Sequence, residues 1–225
     1  MRRSDGRVRG APGVGVARIA DGPAGIVLAS ASPRRRELLG ALVHDFEVVP
    51  SDIPEPMTGD AVRDAVALAL GKAQAIARHR PGAVVIGSDT IVFDDAWSYG
   101  KPTSAEEARE MLTALAGREH RVVTAVAVLS GTNVATATSI SRVELTALDA
   151  TAIDAYVASG RPLDKAGAYA VQDEDVPTVA LLEGCYCGVM GLPLWALRGL
   201  LVAEGLTCRA PSAAFERCAE CPERR

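Results

Sequence analysis

A short apolar strand that leads directly into the start of a helix limits what this chain can fold into. Residues Ile26–Ala29 are continuously apolar, which is typical of a buried strand. The next segment, Ser30–Leu39, is predicted to open a helix, because Ser32 can cap it and Pro33 suits its first position. The pattern therefore predicts a strand–helix junction of the kind found in α/β sheets.

Three arginines, Arg34, Arg35 and Arg36, fall in the first turn of this predicted helix. A merely solvated basic turn fits the position poorly, because cations there oppose the helix dipole. Together with the hydroxyls of Ser30 and Ser32 and the unpaired backbone N–H groups, the arginines would suit a polyanion such as phosphate. We therefore expect an anion-binding site at this junction.

The overall charge makes this basic site a local feature. The 225 residues carry a formal net charge of −4, which argues against a general nucleic-acid coat protein with a broadly basic surface. No apolar run reaches the roughly 18 residues of a membrane span. The N-terminus also lacks the apolar centre of a secretory signal. We expect a cytoplasmic protein with neither a nucleic acid nor a membrane as its partner.

Apolar periodicity predicts alternating strands and helices along most of the chain. Hydrophobic residues make up 48% of the sequence, enough for a sizeable core. The prediction is a single α/β domain over residues 25–206, with a mixed, elongated sheet flanked by helices. Residues 1–24 are expected to be a flexible extension, with a transit peptide as the alternative. Residues 207–225 are expected to be a flexible, cysteine-containing tail. The predicted helices cover 60–80, 104–116, 150–159 and the segment from Pro193, and the predicted strands cover 26–29, 46–49, 83–87, 122–129, 134–145 and 179–183.

The five cysteines all fall late in the sequence, and their odd number argues against a complete disulfide framework. Cys218 and Cys221 have the two-residue gap that zinc ligands favour, and Cys208 is near enough in sequence to join them. The pattern favours reduced thiols on a loose tail over a structural metal site, but the sequence leaves both open.

Asp89 is the strongest single candidate for a catalytic residue. It follows the predicted strand Ala83–Gly87, and carboxylates at strand ends lie where α/β sheets open toward ligands. The alternative is a structural role, in which the side chain caps the next turn. The cationic residues elsewhere in the sequence favour the catalytic interpretation.

Lys72, Lys101 and Lys165 are each, taken singly, explained by a solvated surface position. Taken together with the arginines and with the carboxylates Glu55 and Asp89, they fit a triphosphate accompanied by a divalent cation. Mg²⁺ commonly takes one or two carboxylates plus phosphate oxygens and water. The sequence contains no P-loop, no dinucleotide glycine fingerprint and no His-Glu-x-x-His motif.

An ordered set of motifs resembles the Maf family of nucleoside triphosphate pyrophosphatases. Each block is weak alone, but they follow the family's order and span about 26–204. The blocks are Leu28–Arg35 with Glu37–Leu39, Ser51–Glu55, Lys72–Ala73, Gly87–Thr90, Gly100–Pro102, Gly117–Arg118 with His120, Thr124–Val126, Asp164–Tyr169 with Gln172, and Gly191–Leu194.

The resemblance implies a fold like that of inosine triphosphate pyrophosphatases, with a cleft between two lobes. It implies hydrolysis of a nucleoside triphosphate to the monophosphate and pyrophosphate with Mg²⁺ or Mn²⁺, and it leaves a homodimer open. By the same resemblance Asp89 is the general base and, with Glu55, a metal ligand. The implied substrate-binding residues are Ser30, Arg34, Arg35, Lys72, Lys101, Thr90, Lys165 and Gln172.

Three positions bear on the choice of base. Arg34, Thr90 and Gln172 differ from the Trp, Gln and Glu of the branch that acts on 7-methyl-GTP, so the chain resembles the branch that prefers dTTP and UTP. The Gln172 amide can both donate to and accept from a pyrimidine. The sequence departs from the family's pattern at the acidic run 173–175 and at Gly188, which bears on base preference rather than on the phosphate side.

Two other classes of function remain at this point. One is a nucleotide-binding regulator of cell division without useful turnover, and the other is a nucleotidyltransferase that passes the nucleotide to an acceptor. Asp89 and the lysines favour the hydrolase over both.

Overall fold

A seven-stranded mixed sheet organises the molecule. The computed structural model describes residues 25–173, 176 and 178–224. The strands are β1 (Ile26–Ala29), β2 (Glu47–Val48), β3 (Val84–Phe93), β4 (Ser98–Tyr99), β5 (Glu119–Ser130), β6 (Asn133–Leu145) and β7 (Val179–Glu183). Their order is β2-β1-β3-β5-β6-β7, and β4 pairs with β3. The pairs of β1 with β2 and with β3 are parallel and the others antiparallel, which confirms the predicted mixed sheet.

Six α-helices flank the sheet: α1 (Pro33–Leu42), α2 (Ala61–Ala77), α3 (Ala105–Leu115), α4 (Ala150–Ala158), α5 (Tyr186–Met190) and α6 (Leu194–Ala203), among the described residues. The expected caps are present, because Ser32, Asp60 and Ser104 each accept a hydrogen bond from a backbone N–H of the first turn. The predicted hairpin is also confirmed, and its turn joins Ser130 to Asn133.

The core lies on both faces of the sheet. On one face α2 packs against β1, β3 and β5, and on the other α1, α5 and α6 pack against the same strands. A third cluster, built from α3, α4 and the far ends of β5 and β6, forms a second lobe. The α/β domain therefore has two lobes, as the family resemblance implied.

Strand β3 extends further than the sequence indicated. We expected it to end at Gly87, but it continues to Phe93 because antiparallel pairing with β5 runs without a break from Val84 to Phe93. Asp89 therefore lies within a strand, not at its end. What ends at Gly87 is the pairing with β1, whose last partner is Ala29. Beyond that pair β1 turns toward α1, and this edge of β3 opens.

Helix α2 lies very close to β3 at Gly87. A side-chain carbon at this position would come within 2.1 Å of the Ala69 carbonyl oxygen and 2.8 Å of the Ala73 backbone nitrogen. Only glycine leaves room for this approach. The contact brings the next residues of α2 and β3, among them Lys72 and Asp89, within reach of each other.

The C-terminal segment differs from the flexible tail that we expected after residue 206. Residues 211–213 and 216–218 form short 3₁₀ helices, and Cys218 and Cys221 are buried in the core cluster beside α1, α5 and α6. The Trp195 indole N–H also donates to the Cys218 carbonyl at 2.8 Å. The segment is ordered because these cysteines and Phe215 pack against the core cluster. Their spacing along the sequence does not predict this packing. The predicted extension over residues 1–24 lies outside the described residues.

Candidate active site

A buried ammonium group between two carboxylates forms the centre of the site. Lys72 Nζ donates to Asp89 Oδ1 at 2.6 Å and lies 2.5 Å from Glu55 Oε1. Side chains alternate along a strand, so Asp89 points to the face of β3 that α2 covers. Lys72 lies on the covered side of α2, with Ala69 and Ala73. The solvated position considered for Lys72 is therefore wrong.

Burial strengthens the electrostatic interaction between Lys72 and its two carboxylate partners. Lys72 is 5% exposed and Asp89 is 6% exposed, whereas half of the Glu55 side chain reaches solvent. Charges buried to this extent require partners. Burial raises the pKa of Glu55, but the hydrogen bond and charge of Lys72 outweigh that effect, so the Glu55 pKa lies below its usual value. Glu55 is therefore a carboxylate at neutral pH.

The start of α1 forms the opposite wall. Ser32 Oγ accepts a hydrogen bond from the Arg35 backbone N–H at 3.4 Å, and buried Ser30 Oγ accepts one from the Ser32 N–H at 3.2 Å. These two bonds fix the turn between β1 and α1. The turn, Glu55, Lys72 and Lys101 line one cavity, and their cationic groups face a common space.

The three arginines have different environments. Arg36 is exposed. Arg34 extends across the cleft and pairs with Asp164 at 2.8 Å. Arg35 is buried and donates to the Gly191 carbonyl at 2.9 Å and to Thr90 Oγ1 at 3.1 Å. Burial lowers the pKa of Arg35, although Asp89 opposes that effect, and a guanidinium remains charged.

A second cavity adjoins the first and shares the arginines and Lys101 with it. Its lining includes Thr90, Lys165 and Gln172, so the substrate-binding candidates line one continuous cleft. Asp89 is not among the lining residues of either cavity, but its ion-pair partner Lys72 lines the first one. Ser30 and Lys72 line only the first cavity and Gln172 lines only the second, so these residues mark the two ends of the cleft, with the arginines and Lys101 between them.

The remaining lysines differ in their contacts. Lys165 Nζ lies 2.8 Å from Asp164 and donates to the Arg161 carbonyl at 2.5 Å. Lys101 is exposed at the cleft. Partial burial and the nearby Arg35 charge lower the Lys101 pKa, against the effect of Glu55. A dianionic group at this position would relieve the repulsion between Lys101 and Arg35.

Sequence reasoning missed Asp164 and Thr124 as parts of the site. Asp164 accepts hydrogen bonds from both Arg34 and Lys165. The Thr124 hydroxyl donates to the Gly188 carbonyl at 2.7 Å, and its Oγ1 lies 3.0 Å from Thr90 Oγ1. Both residues lie inside quoted motif blocks, which was the available signal. Of the acidic run, Asp173 accepts from the Tyr156 hydroxyl beside α4, and residues 174 and 175 lie outside the described residues.

His120 is buried next to the cleft and provides a test of the electrostatics. Its Nε2 lies 2.7 Å from the Tyr169 hydroxyl, and burial lowers its pKa from 6.5 to about 4. The unfolded state then binds more protons than the folded state between those values, so stability is lost as pH falls. We expect the free energy of unfolding to drop by about 3 kcal/mol from pH 6.5 to pH 4 through this residue.

Denaturant unfolding at a series of pH values checks this. Above pH 4.5 the slope belongs mainly to His120, because the carboxyl groups with shifted pKa values all have pKa values below their ordinary ones and act mainly at lower pH. These carboxyl groups are those of Glu47, Glu55, Asp94, Glu107 and Asp164. His120→Gln should flatten the curve between pH 4.5 and 6.5, whereas His44→Gln, at an exposed histidine, should leave it unchanged. An unaltered slope in His120→Gln would show that another group causes the pH dependence.

Comparison with known proteins places this geometry in a family. The model of Maf-like proteins matches residues 25–204, which include every residue of the cleft described above. The chain belongs to the Maf family. A dTTP/UTP pyrophosphatase of Thermomicrobium roseum is 43% identical over 205 residues, covering 88% of this chain and 93% of the relative. Those of Methylococcus capsulatus and Myxococcus xanthus are 46% and 48% identical, each covering 80% of this chain and 91% and 93% of the relative.

Maf pyrophosphatases generally depend on divalent cations, and two residues of this Maf protein have suitable chemistry. Glu55 and Asp89 are carboxylates on either side of Lys72, beside a cavity that Arg34, Arg35 and Lys101 also line. One or two carboxylates, with phosphate oxygens and water, match what Mg²⁺ prefers. The residues therefore fit such a cation once Lys72 moves from between them.

In the part of the chain that the structure describes, no helix combines the length and apolar character needed to cross a membrane.

Proposed function

We propose that this Maf protein hydrolyses dTTP and UTP to the nucleoside monophosphate and pyrophosphate. The observation that carries the proposal is the Glu55–Lys72–Asp89 arrangement, buried beside a cavity lined by the start of α1. Relatives at 43–48% identity that carry the name dTTP/UTP pyrophosphatase support the choice of substrate.

The phosphate side of the cleft binds the triphosphate through charge. Arg34, Arg35 and Lys101 contribute three cationic groups, and Ser30 with the backbone of the turn contributes hydrogen-bonding groups. Such a site positions the phosphates and neutralises charge that develops during phosphoryl transfer. Thr90 acts through Arg35, because its hydroxyl accepts from that guanidinium.

Lys72 connects binding with catalysis. A triphosphate competes with Asp89 and Glu55 for the Lys72 ammonium, and movement of Lys72 toward the phosphates releases both carboxylates. Among the described residues, none donates a hydrogen bond to Asp89 Oδ2, so this oxygen can accept the proton of a water molecule. Asp89 is then the general base for attack at the α-phosphorus.

A divalent cation, Mg²⁺ or Mn²⁺, would be held by Glu55 and Asp89 together with phosphate oxygens. When bound, it supplies further neutralisation of the phosphate charge. The chain's own residues orient the triphosphate, hold the water at Asp89 and keep the α-phosphorus next to it.

The other end of the cleft would select the base. Gln172 carries both a donor and an acceptor, which match the imide edge of thymine or uracil. Arg34 lies between this end and the phosphate end, where its ion pair with Asp164 holds it across the cleft. We assign Gln172 and Arg34 to base selection, and Lys165 with Asp164 to holding that wall in place.

A panel of triphosphates tests the proposal. We expect pyrophosphate and monophosphate from dTTP and UTP at least about tenfold faster than from 7-methyl-GTP or ATP, and no turnover with EDTA. Chromatography of the products supplies the measurement. Binding without any product would favour a regulator, and turnover only after an acceptor alcohol is added would favour a nucleotidyltransferase. Either result would contradict the hydrolase.

A further inference from the structure

Four of the five cysteines meet at one place, away from the cleft. Cys185 and Cys187 belong to the start of α5, and Cys218 and Cys221 belong to the C-terminal segment. All four are buried, whereas Cys208 is partly exposed. Cys187 Sγ lies 3.1 Å from Cys218 Sγ. Two segments far apart in sequence thus bring their thiols together in the core.

An unpartnered carboxylate lies against these thiols. A Glu223 carboxylate oxygen and the sulfurs of Cys185 and Cys221 lie within 4.8 Å of one another, the only such group among the described residues. Glu223 Oε2 is buried and has no hydrogen-bond partner. No ion pair links Glu223 to a described lysine or arginine. Glu223 as a whole is partly exposed, but a buried carboxylate oxygen without a partner is costly unless a donor or a cation lies next to it.

We propose that this cluster binds one Zn²⁺, with Cys185, Cys218, Cys221 and Glu223 as its four ligands. Thiolate sulfur and carboxylate oxygen are both established zinc ligands. Cys218 Sγ lies outside the close group, 3.1 Å from Cys187 Sγ, so its side chain would turn toward the metal on binding. It is chosen as the fourth ligand because it forms a two-residue chelate with Cys221, the spacing that zinc favours. The Gly188 backbone N–H already donates to Cys185 Sγ at 3.2 Å, which is the kind of hydrogen bond that stabilises a metal-bound thiolate.

The site would stabilise the fold instead of taking part in hydrolysis. Four protein ligands close a tetrahedral zinc site and leave no position for substrate. The metal would attach the C-terminal segment to α5. The same short helix and its cap present the carbonyls of Gly188 and Gly191, which accept from Thr124 and Arg35 in the cleft wall. Losing the metal should therefore lower the melting temperature before it affects the rate of hydrolysis.

Metal analysis of the full-length chain tests the proposal. Protein prepared with reduced thiols and supplied with Zn²⁺ should retain about one zinc per chain after desalting, as measured by elemental mass spectrometry. Replacing Zn²⁺ by Co²⁺ should give the visible bands of tetrahedral cobalt with thiolate ligands. Chelator treatment should remove the metal and lower the melting temperature.

Variants identify the ligands. Cys221→Ser and Cys218→Ser should lose the bound zinc, and Glu223→Gln, which keeps the shape of the side chain, should weaken zinc binding at least about tenfold. Cys208→Ser, at the cysteine outside the cluster, should retain it. Circular dichroism on each variant distinguishes loss of the ligand from loss of the fold.

Three results would overturn the proposal. One is the absence of zinc in the reduced, folded chain. Another is a mass lower by two hydrogens per thiol pair, which would show disulfides in place of a metal. The third is zinc loss in Cys187→Ser but not in Cys218→Ser, which would make the assigned fourth ligand wrong.

Discussion

Asp89→Asn should lower the turnover of dTTP by about a hundredfold to ten-thousandfold, while leaving the chain folded and able to bind the triphosphate. The loss follows from the role of a general base, whose removal costs about 10²–10⁴ in rate. Asparagine keeps the shape of aspartate, and its side-chain oxygen can still accept from Lys72, which lies 2.6 Å from Asp89 Oδ1. The expected defect is therefore in kcat and not in folding.

The measurement is the steady-state rate of pyrophosphate release, with calorimetric binding of dTTP to the same variant. Asp95→Asn is the matched control, because that carboxylate is fully exposed and pairs with Arg121 outside the cleft. Wild-type turnover in Asp89→Asn would show that another group accepts the proton. A loss of binding with kcat retained would make Asp89 a ligand of the substrate or the cation only.

Lys72→Met should have the second-largest effect, acting on both activity and stability. Methionine fills most of the volume but leaves Asp89 and Glu55 without the cation between them. Removing one partner of a buried ion pair costs about 3 kcal/mol or more. We expect a fall in kcat/KM of about 10²-fold or more, because the variant also loses a group that binds phosphate.

Denaturant unfolding and steady-state kinetics on the same preparation check both parts. Arg109→Met is the matched control, since Arg109 forms ion pairs with Glu106 and Asp154 at the surface, where such pairs contribute at most about 1 kcal/mol. Unchanged stability in Lys72→Met would contradict the account of a buried charge pair. Unchanged kcat/KM would show that the Lys72 ammonium does not act on the substrate.

Local signals predicted much of the fold. The caps at Asp60 and Ser104, the apolar stripe of α2 and the hairpin between β5 and β6 depend on residues close in sequence, and the structure confirms them. The extent of β3 was not predictable in this way. Ser88, Asp89 and Thr90 are polar, and only their pairing with the distant β5 holds them in the strand.

The sequence predicted which residues belong to the site, but it did not predict how they are arranged in space. Motif order indicated Lys72, Asp89 and Glu55 separately, yet the close contact of α2 with β3 at Gly87 is what places Lys72 between the two carboxylates. The position of Cys218 and Cys221 depended in the same way on contacts with α5. Contacts between segments far apart in sequence determine both the position of Lys72 and the positions of the two cysteines, and the spacing of residues along the chain does not predict such contacts.

Hydrolysis of dTTP in ¹⁸O-labelled water tests the central claim most directly. Attack of water on the α-phosphorus, with Asp89 as the base, places one ¹⁸O atom in dTMP and leaves the pyrophosphate unlabelled. Mass spectrometry of the two products from a reaction with Mg²⁺ supplies the measurement. Our account predicts labelled dTMP and unlabelled pyrophosphate. Label in the pyrophosphate, or release of dTDP and inorganic phosphate, would contradict it.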